Sequence, residues 1–214
     1  VSATATAAPR RIHIYGGPGS GKTRLALELG ERLGLPVHHL DEVARVGGGH
    51  GQVRSPEERE QLLREILGSD AWITEGVHLL WTDPILERAD VVIWLDYVSR
   101  LRATRRIVKR FAQGAAYEMR HRSGRERFTR FGDYARHARF LVVSILETRD
   151  YYAVETGGPD AALGRLEATT REDAARATTG GSRLAATAQL AAHEDKLIHC
   201  RTAGDVAALA RRWA

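Results

Sequence analysis

The run Gly16-Gly17-Pro18-Gly19-Ser20-Gly21-Lys22-Thr23 combines glycines, a lysine and a hydroxyl at the spacing that phosphate chemistry requires. It fits G-x-x-x-x-G-K-[ST] without mismatch. A polyphosphate is held by a ring of backbone N–H donors, and side chains pointing into that ring would block it. Gly16, Gly19 and Gly21 keep the ring open, and Gly17, Pro18 and Ser20 complete it. Lys22 is spaced to reach the β and γ phosphates as a point charge, the Thr23 hydroxyl can ligate Mg²⁺, and the helix start faces the anion. The competing reading is a plain glycine-rich turn. The β-prone residues before it and the amphipathic helix after it are the context that favours the phosphate motif.

Carboxylates recur at the ends of apolar runs. Asp41 follows a short β-prone run over residues 35–40, and Glu75 closes Trp72-Ile73-Thr74-Glu75-Gly76. In an open α/β sheet the carboxyl ends of the strands line the ligand crevice, which brings both acids beside the phosphate loop. Asp41 can orient or deprotonate an acceptor hydroxyl, or bind Mg²⁺ through water; Glu75 can hold a Mg²⁺-bound water or the acceptor. The bland alternatives are a helix cap or solvated turn for Asp41 and a satisfied structural acid for Glu75. Asp96 ends the apolar run Val91-Val92-Ile93-Trp94-Leu95 in the manner of a second metal-binding carboxylate and ranks behind Glu75. From Ser99 onward arginines crowd the chain, including Arg106, Arg110, Arg120, Arg125 and Arg130. That density after a phosphate loop suggests a lid at about 114–130 that neutralises a migrating phosphoryl group; a solvated basic face or a nucleic-acid footprint is the rival.

The elements that must position these groups follow from periodicity and punctuation. Strands are expected over residues 10–15, 35–40, 71–76, 89–96 and 196–200. Leu25, Ala26, Leu29 and Leu33 mark the first helix, stopped by Gly34. Ser55-Pro56-Glu57-Glu58 is a capping box with proline at the first position, opening a helix to Leu67. Asp83-Pro84 opens another, residues 128–152 read as a long packed helix, and 184–192 and 205–213 as the last two. Residues 46–52 are too glycine-rich for either element, and 156–181 read as a surface excursion with a short helix around 161–166. The fold class is a three-layer α/β domain over residues 10–214, a parallel five-stranded sheet flanked by helices, after a frayed leader over 1–9. One cysteine, Cys200, excludes an internal disulfide and a cysteine-based zinc cluster and makes a reducing cytoplasm the default. No apolar run nears the ~20 residues that cross a bilayer. The net charge of +5 suits nucleic acid and phosphorylated small molecules alike.

Nearly the whole chain resembles the P-loop small-molecule and nucleoside-monophosphate kinase superfamily, in particular adenylate-kinase-related proteins labelled topology modulation or FlaR-like. The resemblance rests on residues 16–23, His39-Leu40-Asp41, residues 72–76, Glu87-Arg88-Ala89-Asp90 with the run to Asp96, and residues 196–201 followed by Asp205-Val206. Relatives more usually end the third strand in Asp-Gly, so Glu75 is a departure. Arg106-Ile107-Val108-Lys109-Arg110 has the form of the helix that enters the adenylate-kinase lid. The resemblance implies that Arg106 stacks on the base and Arg110 meets the transferred phosphate. The arm those enzymes use for AMP is not recognisable between Asp41 and Ser55. The loop from Arg201 to Gly204 is expected at the edge where the base lies.

The leading expectation is an ATP- and Mg²⁺-dependent phosphotransferase, moving the γ-phosphoryl group to a hydroxyl or phosphate of a small molecule. A GTPase switch would carry Asn-Lys-x-Asp, and the chain has no asparagine. A nucleic-acid-associated ATPase is the remaining alternative, supported by the basic region alone.

Overall fold

The computed structural model describes residues 8–47, 51–121, 131–153, 155–172 and 181–213. At its centre β1 (Arg11–Gly16) feeds the phosphate loop and α1 (Lys22–Leu33). There follow β2 (Val37–His39), α2 (Leu40–Ala44), α3 (Pro56–Leu67), β3 (Trp72–Gly76), α4 (Asp83–Arg88) and β4 (Val91–Leu95). The remaining elements are α5 (Arg100–His121), α6 (Phe131–Tyr151), α7 (Pro159–Glu172), α8 (Arg183–Ala191), β5 (Leu197–Cys200) and α9 (Ala203–Arg212). The strands pair only in parallel, in the order β2-β3-β1-β4-β5. All five carboxyl ends therefore open on one edge, with the loop after β1 in the middle of it.

Strand alternation splits the core into two layers. Ile12, Ile14, Ile73, Ile93 and Leu95 face Leu25, Ala26 and Leu29 of α1 and Leu209 of α9. Tyr15, Trp72, Val92 and Trp94 face the opposite way, into a cluster with Leu40 and Val43 of α2, Leu63 of α3, Leu86 of α4 and Ala185 of α8. Each fully buried aliphatic side chain contributes about 1.5–3 kcal/mol. This is the three-layer P-loop NTPase fold.

Local signals act as read at α3, where Ser55 accepts from the Glu58 N–H and the Glu58 carboxylate accepts from the Ser55 N–H. Two segments differ from expectation. α5 continues through Gly114 to His121, so the first part of the expected lid is helix; residues 122–130 lie outside the described residues. A glycine costs about 1 kcal/mol in a helix interior, too little to break a long amphipathic helix. The expected excursion holds a longer helix than foreseen: α7 covers Pro159–Glu172, and its Ala162, Leu163 and Leu166 pack with α8 and Leu79 on the larger core cluster. In the glycine-rich stretch, 48–50 lie outside the described residues, and the flanks are joined by an Arg45–Val53 antiparallel bridge and a 3.0 Å bond from the Val46 N–H to the Gln52 carbonyl. Of the leader, residues 1–7 lie outside the described residues.

Candidate functional site

The phosphate loop is shaped by contacts on its outer side. Gly19 and Gly21 hold φ of 72° and 98°, a region costly for residues with a β-carbon. A β-carbon on Gly19 would also lie 2.9 Å from the Ala103 carbonyl of α5, and one on Gly16 2.7 Å from the Ser20 hydroxyl. The glycines are therefore needed for close packing behind the loop as well as for an open front.

Three of the loop carbonyls are already engaged. Ser20 N–H donates to the Gly17 carbonyl (3.1 Å), Arg106 Nη1 to the Gly19 carbonyl (3.0 Å) and the Tyr97 hydroxyl to the Ser20 carbonyl (2.9 Å). Across each trans peptide the next N–H points the opposite way, so the Gly21 amide faces away from Tyr97. No side chain caps α1, whereas Ser55, Ser182 and Thr202 cap α3, α8 and α9. The amide hydrogens at the start of α1 are left for an anion.

Thr23 and Glu75 meet here. The Thr23 hydroxyl donates to Glu75 Oε1 at 3.0 Å, and His39 Nδ1 donates to the same oxygen at 2.8 Å, which fixes the proton on Nδ1. Glu75 is buried on the α1 side of β3. A hydroxyl and a carboxylate side by side at the phosphate loop are hard oxygen donors of the kind Mg²⁺ takes. Their chemistry fits that ion.

Asp41 lies in the first turn of α2, 60% exposed, and its Oδ1 accepts from His78 Nε2 at 3.0 Å. The loop that carries His78 turns through Leu80 at φ 69°, burying His78 against Trp81. His78 Nδ1 is buried and without a hydrogen-bond partner. The hydrogen bond from His78 is the largest influence holding the Asp41 carboxyl at about 2, with the charges of His78, Lys22 and His39 adding to it against burial. Asp41 is an ionised carboxylate under ordinary conditions.

A cleft of about 1400 Å³ joins these groups, running past Gly19, Gly21, Lys22 and Thr23 to Asp41 and His78. Arg110 and Arg139 reach it from α5 and α6, and neither has an ion-pair partner among the described residues. Gly16, Gly17 and Ser20 sit behind its surface.

Arg106 lines the cleft, with its guanidinium on the Gly19 carbonyl and over the Tyr97 ring, 5.9 Å from the centroid. Arg201 is outside the cleft wall; its Nε donates to His199 Nδ1 at 3.3 Å, and Val206, Ala207 and Arg211 of α9 form that end of the cleft instead. Asp96 is engaged too: Arg183 binds it through Nε (2.6 Å) and Nη2 (2.8 Å), and His199 Nε2 donates to it at 3.1 Å. It pins α8 to the sheet, which separates it from the metal chemistry its position suggests. The sequence gives no signal for His78, Tyr97, Arg139 or Glu147, and His39 enters its reading only within His39-Leu40-Asp41, with no role of its own.

No family model matches the chain, and no curated protein sequence does. Among solved structures, a gluconokinase from Sinorhizobium meliloti 1021 is similar at 14% identity and a TM-score of 0.42, over 96% of this chain and 89% of that one. An unliganded sugar kinase from Janibacter sp. HTCC2649 is similar at 21% identity and 0.35, over 80% and 99%. A shikimate kinase from Acinetobacter baumannii in complex with shikimate is similar at 20% and 0.36, over 77% and 94%. Likeness at this level assigns no role to any residue, and the function rests on the site itself. No helix among the described residues is long and apolar enough to cross a membrane.

Proposed function

We propose that the chain is an ATP-dependent phosphotransferase that moves the γ-phosphoryl group to a hydroxyl of a small molecule. The observation that carries this reading is the uncapped start of α1, set in a loop whose carbonyls are already engaged and opening on the same cleft as the ionised Asp41. Lys22 and the free amides hold the donor phosphates. Thr23 and Glu75 would hold Mg²⁺, which would offset negative charge on the donor phosphates.

Asp41 sets the direction of the acceptor hydroxyl. As that oxygen bonds to the γ phosphorus and the bond from phosphorus to the ADP oxygen breaks, the hydroxyl proton passes to Asp41. A carboxylate held near 2 is a weak base, so this transfer comes late, once the attacking oxygen has become acidic. Arg110 and Arg139 face the cleft with charge to spare for the moving phosphoryl group.

The test is calorimetry with Mg²⁺ and a non-hydrolysable ATP analogue on the wild type and on Lys22→Ala. Binding by the wild type, with turnover lost in the variant while its melting temperature holds, is the expected result. ATP turnover that no small acceptor stimulates, together with salt-dependent DNA binding that ATP leaves unchanged, would replace this reading with a nucleic-acid-associated ATPase, and no nucleotide binding by the wild type would remove both.

A further inference from the structure

The wall of the cleft falls into two groups on either side of Lys22. One comes from α1 and α9. The other, from α2, the loop after β3, and α6, contains Asp41, Arg45, His78, Ser144 and Glu147. If the donor occupies the loop, this second lobe belongs to the acceptor, and what it offers can be read group by group.

Glu147 is a half-buried carboxyl on α6 that meets no hydrogen-bond or ion-pair partner among the described residues. Burial pushes it toward its neutral form, and repulsion from Asp41 across the lobe pushes further in the same direction, against the weaker pull of Arg45, His78 and Lys22. Ser144, one turn earlier on the same face, is more than nine-tenths buried, lines the same lobe, and its hydroxyl likewise has no partner among the described residues. Both groups line the lobe with hydrogen-bonding capacity that nothing described in the fold takes up.

The cations nearby are committed. Lys22 belongs to the donor phosphates. His78 donates to Asp41 at 3.0 Å, and Arg45 is held by the protein, its Nη1 on the Gly51 carbonyl at 3.4 Å. Arg139 is eight residues before Glu147 on the same helix, about 12 Å along its axis. Asp41 and Glu147 are the two carboxylates that line this lobe.

We propose that the acceptor carries a protonated amine close to the hydroxyl it presents to Asp41, and that Glu147 and Ser144 form the subsite for that amine. This rests on the phosphotransferase reading above. An ammonium group supplies what both carboxyls lack: it satisfies Glu147 and relieves its repulsion with Asp41. A carboxylate in the same place would add a third negative charge. The specificity is therefore for amino alcohols, amino sugars or aminocyclitols over their neutral and acidic counterparts.

The experiment uses the full chain saturated with MgADP and three matched sets of probes: glucosamine, glucose and gluconate; 2-deoxystreptamine, myo-inositol and quinate; serinol, glycerol and glycerate. Binding is read by calorimetry and acceptor-stimulated ADP formation is read in parallel with MgATP. In at least one set the amine is expected to bind tenfold or more tightly than its neutral partner. Glu147→Gln, which keeps shape, is expected to remove that preference, and Ser144→Ala to reduce it several-fold, with ADP affinity unchanged in both. Equal or weaker binding of the amine in every set, no binding by any amine, or an unchanged preference in Glu147→Gln overturns the proposal. Because MgADP binding is measured in the same samples, loss of the amine preference alone leaves the phosphotransferase reading standing, whereas failure to bind nucleotide removes both.

Discussion

Tyr151 and Gly17 touch where only a hydrogen fits: a β-carbon on Gly17 would lie 2.3 Å from Cε1 of the Tyr151 ring. Tyr151 is the last residue of α6 and is buried against Trp94 and the sheet. The helix that carries Ser144 and Glu147 is thus seated directly on the phosphate loop. Gly17→Ala forces either the loop or the ring to move. The expected cost is about 1–3 kcal/mol, the usual range for overpacking, read as a lower midpoint in urea unfolding. Tyr151→Leu in the same chain should return part of that loss, because it removes the ring edge. A Gly17→Ala midpoint equal to wild type would show that α6 does not press on the loop in solution.

The bond from His78 to Asp41 has a kinetic signature. His78→Leu keeps an apolar side chain of similar size in a buried position but removes the donor, so the Asp41 carboxyl should return from about 2 toward its ordinary 3.8. Asp41 must be ionised to orient the hydroxyl, so raising its pKa moves the acid limb of kcat/KM to higher pH, by about one unit. His78→Gln, with an amide donor, should keep the limb nearer its original position. An acid limb that ignores both substitutions would separate His78 from the reaction.

Glu75 gives a prediction on metal affinity. If it holds Mg²⁺ through water, Glu75→Gln should weaken the metal by about 10–100-fold, as expected for outer partners of a metal site. ADP affinity measured without Mg²⁺ should be unchanged, because the amides of the loop and Lys22 remain. Calorimetric titration of ADP at graded Mg²⁺ reads both quantities. An identical Mg²⁺ dependence in the variant would reduce Glu75 to the structural acid that anchors Thr23 and His39.

Which of these features the sequence announces depends on how local their cause is. The capping box at Ser55 and Glu58 lies within four residues and is visible in the chain, and so is the motif ending at Lys22 and Thr23. α7 is less visible, because its apolar stripe is short and built on Ala162, Leu163 and Leu166, which become a core only when α8 packs on them. Asp96 looks like a metal ligand by position, and only the three-dimensional approach of Arg183, 87 residues away in sequence, reveals it as an anchor. His78, Tyr97 and Glu147 carry no local pattern. They join the site because β3, β4 and α6 all end beside the same loop, a property of strand order and helix docking.

His13 shows the same dependence on burial and leads to a test on stability. It sits fully buried in the middle of β1, with Nδ1 on the Thr74 hydroxyl at 2.9 Å and Nε2 without a hydrogen-bond partner. Burial, with the nearby His78 adding to it, lowers its pKa from 6.5 to about 3. The neutral imidazole therefore contributes fully above pH 6.5. As pH falls from 6.5 toward 3, the unfolded chain takes up a proton that the folded chain refuses, and stability drops by about 1.4 kcal/mol per pH unit from this residue. His13→Gln removes the titrating group, so unfolding free energy in urea should fall less steeply between pH 6.5 and 4.5 than in wild type, whatever the variant's absolute stability. Parallel pH profiles for the two chains would mean that His13 takes up its proton in the folded state, and that water or a neighbouring group reaches Nε2.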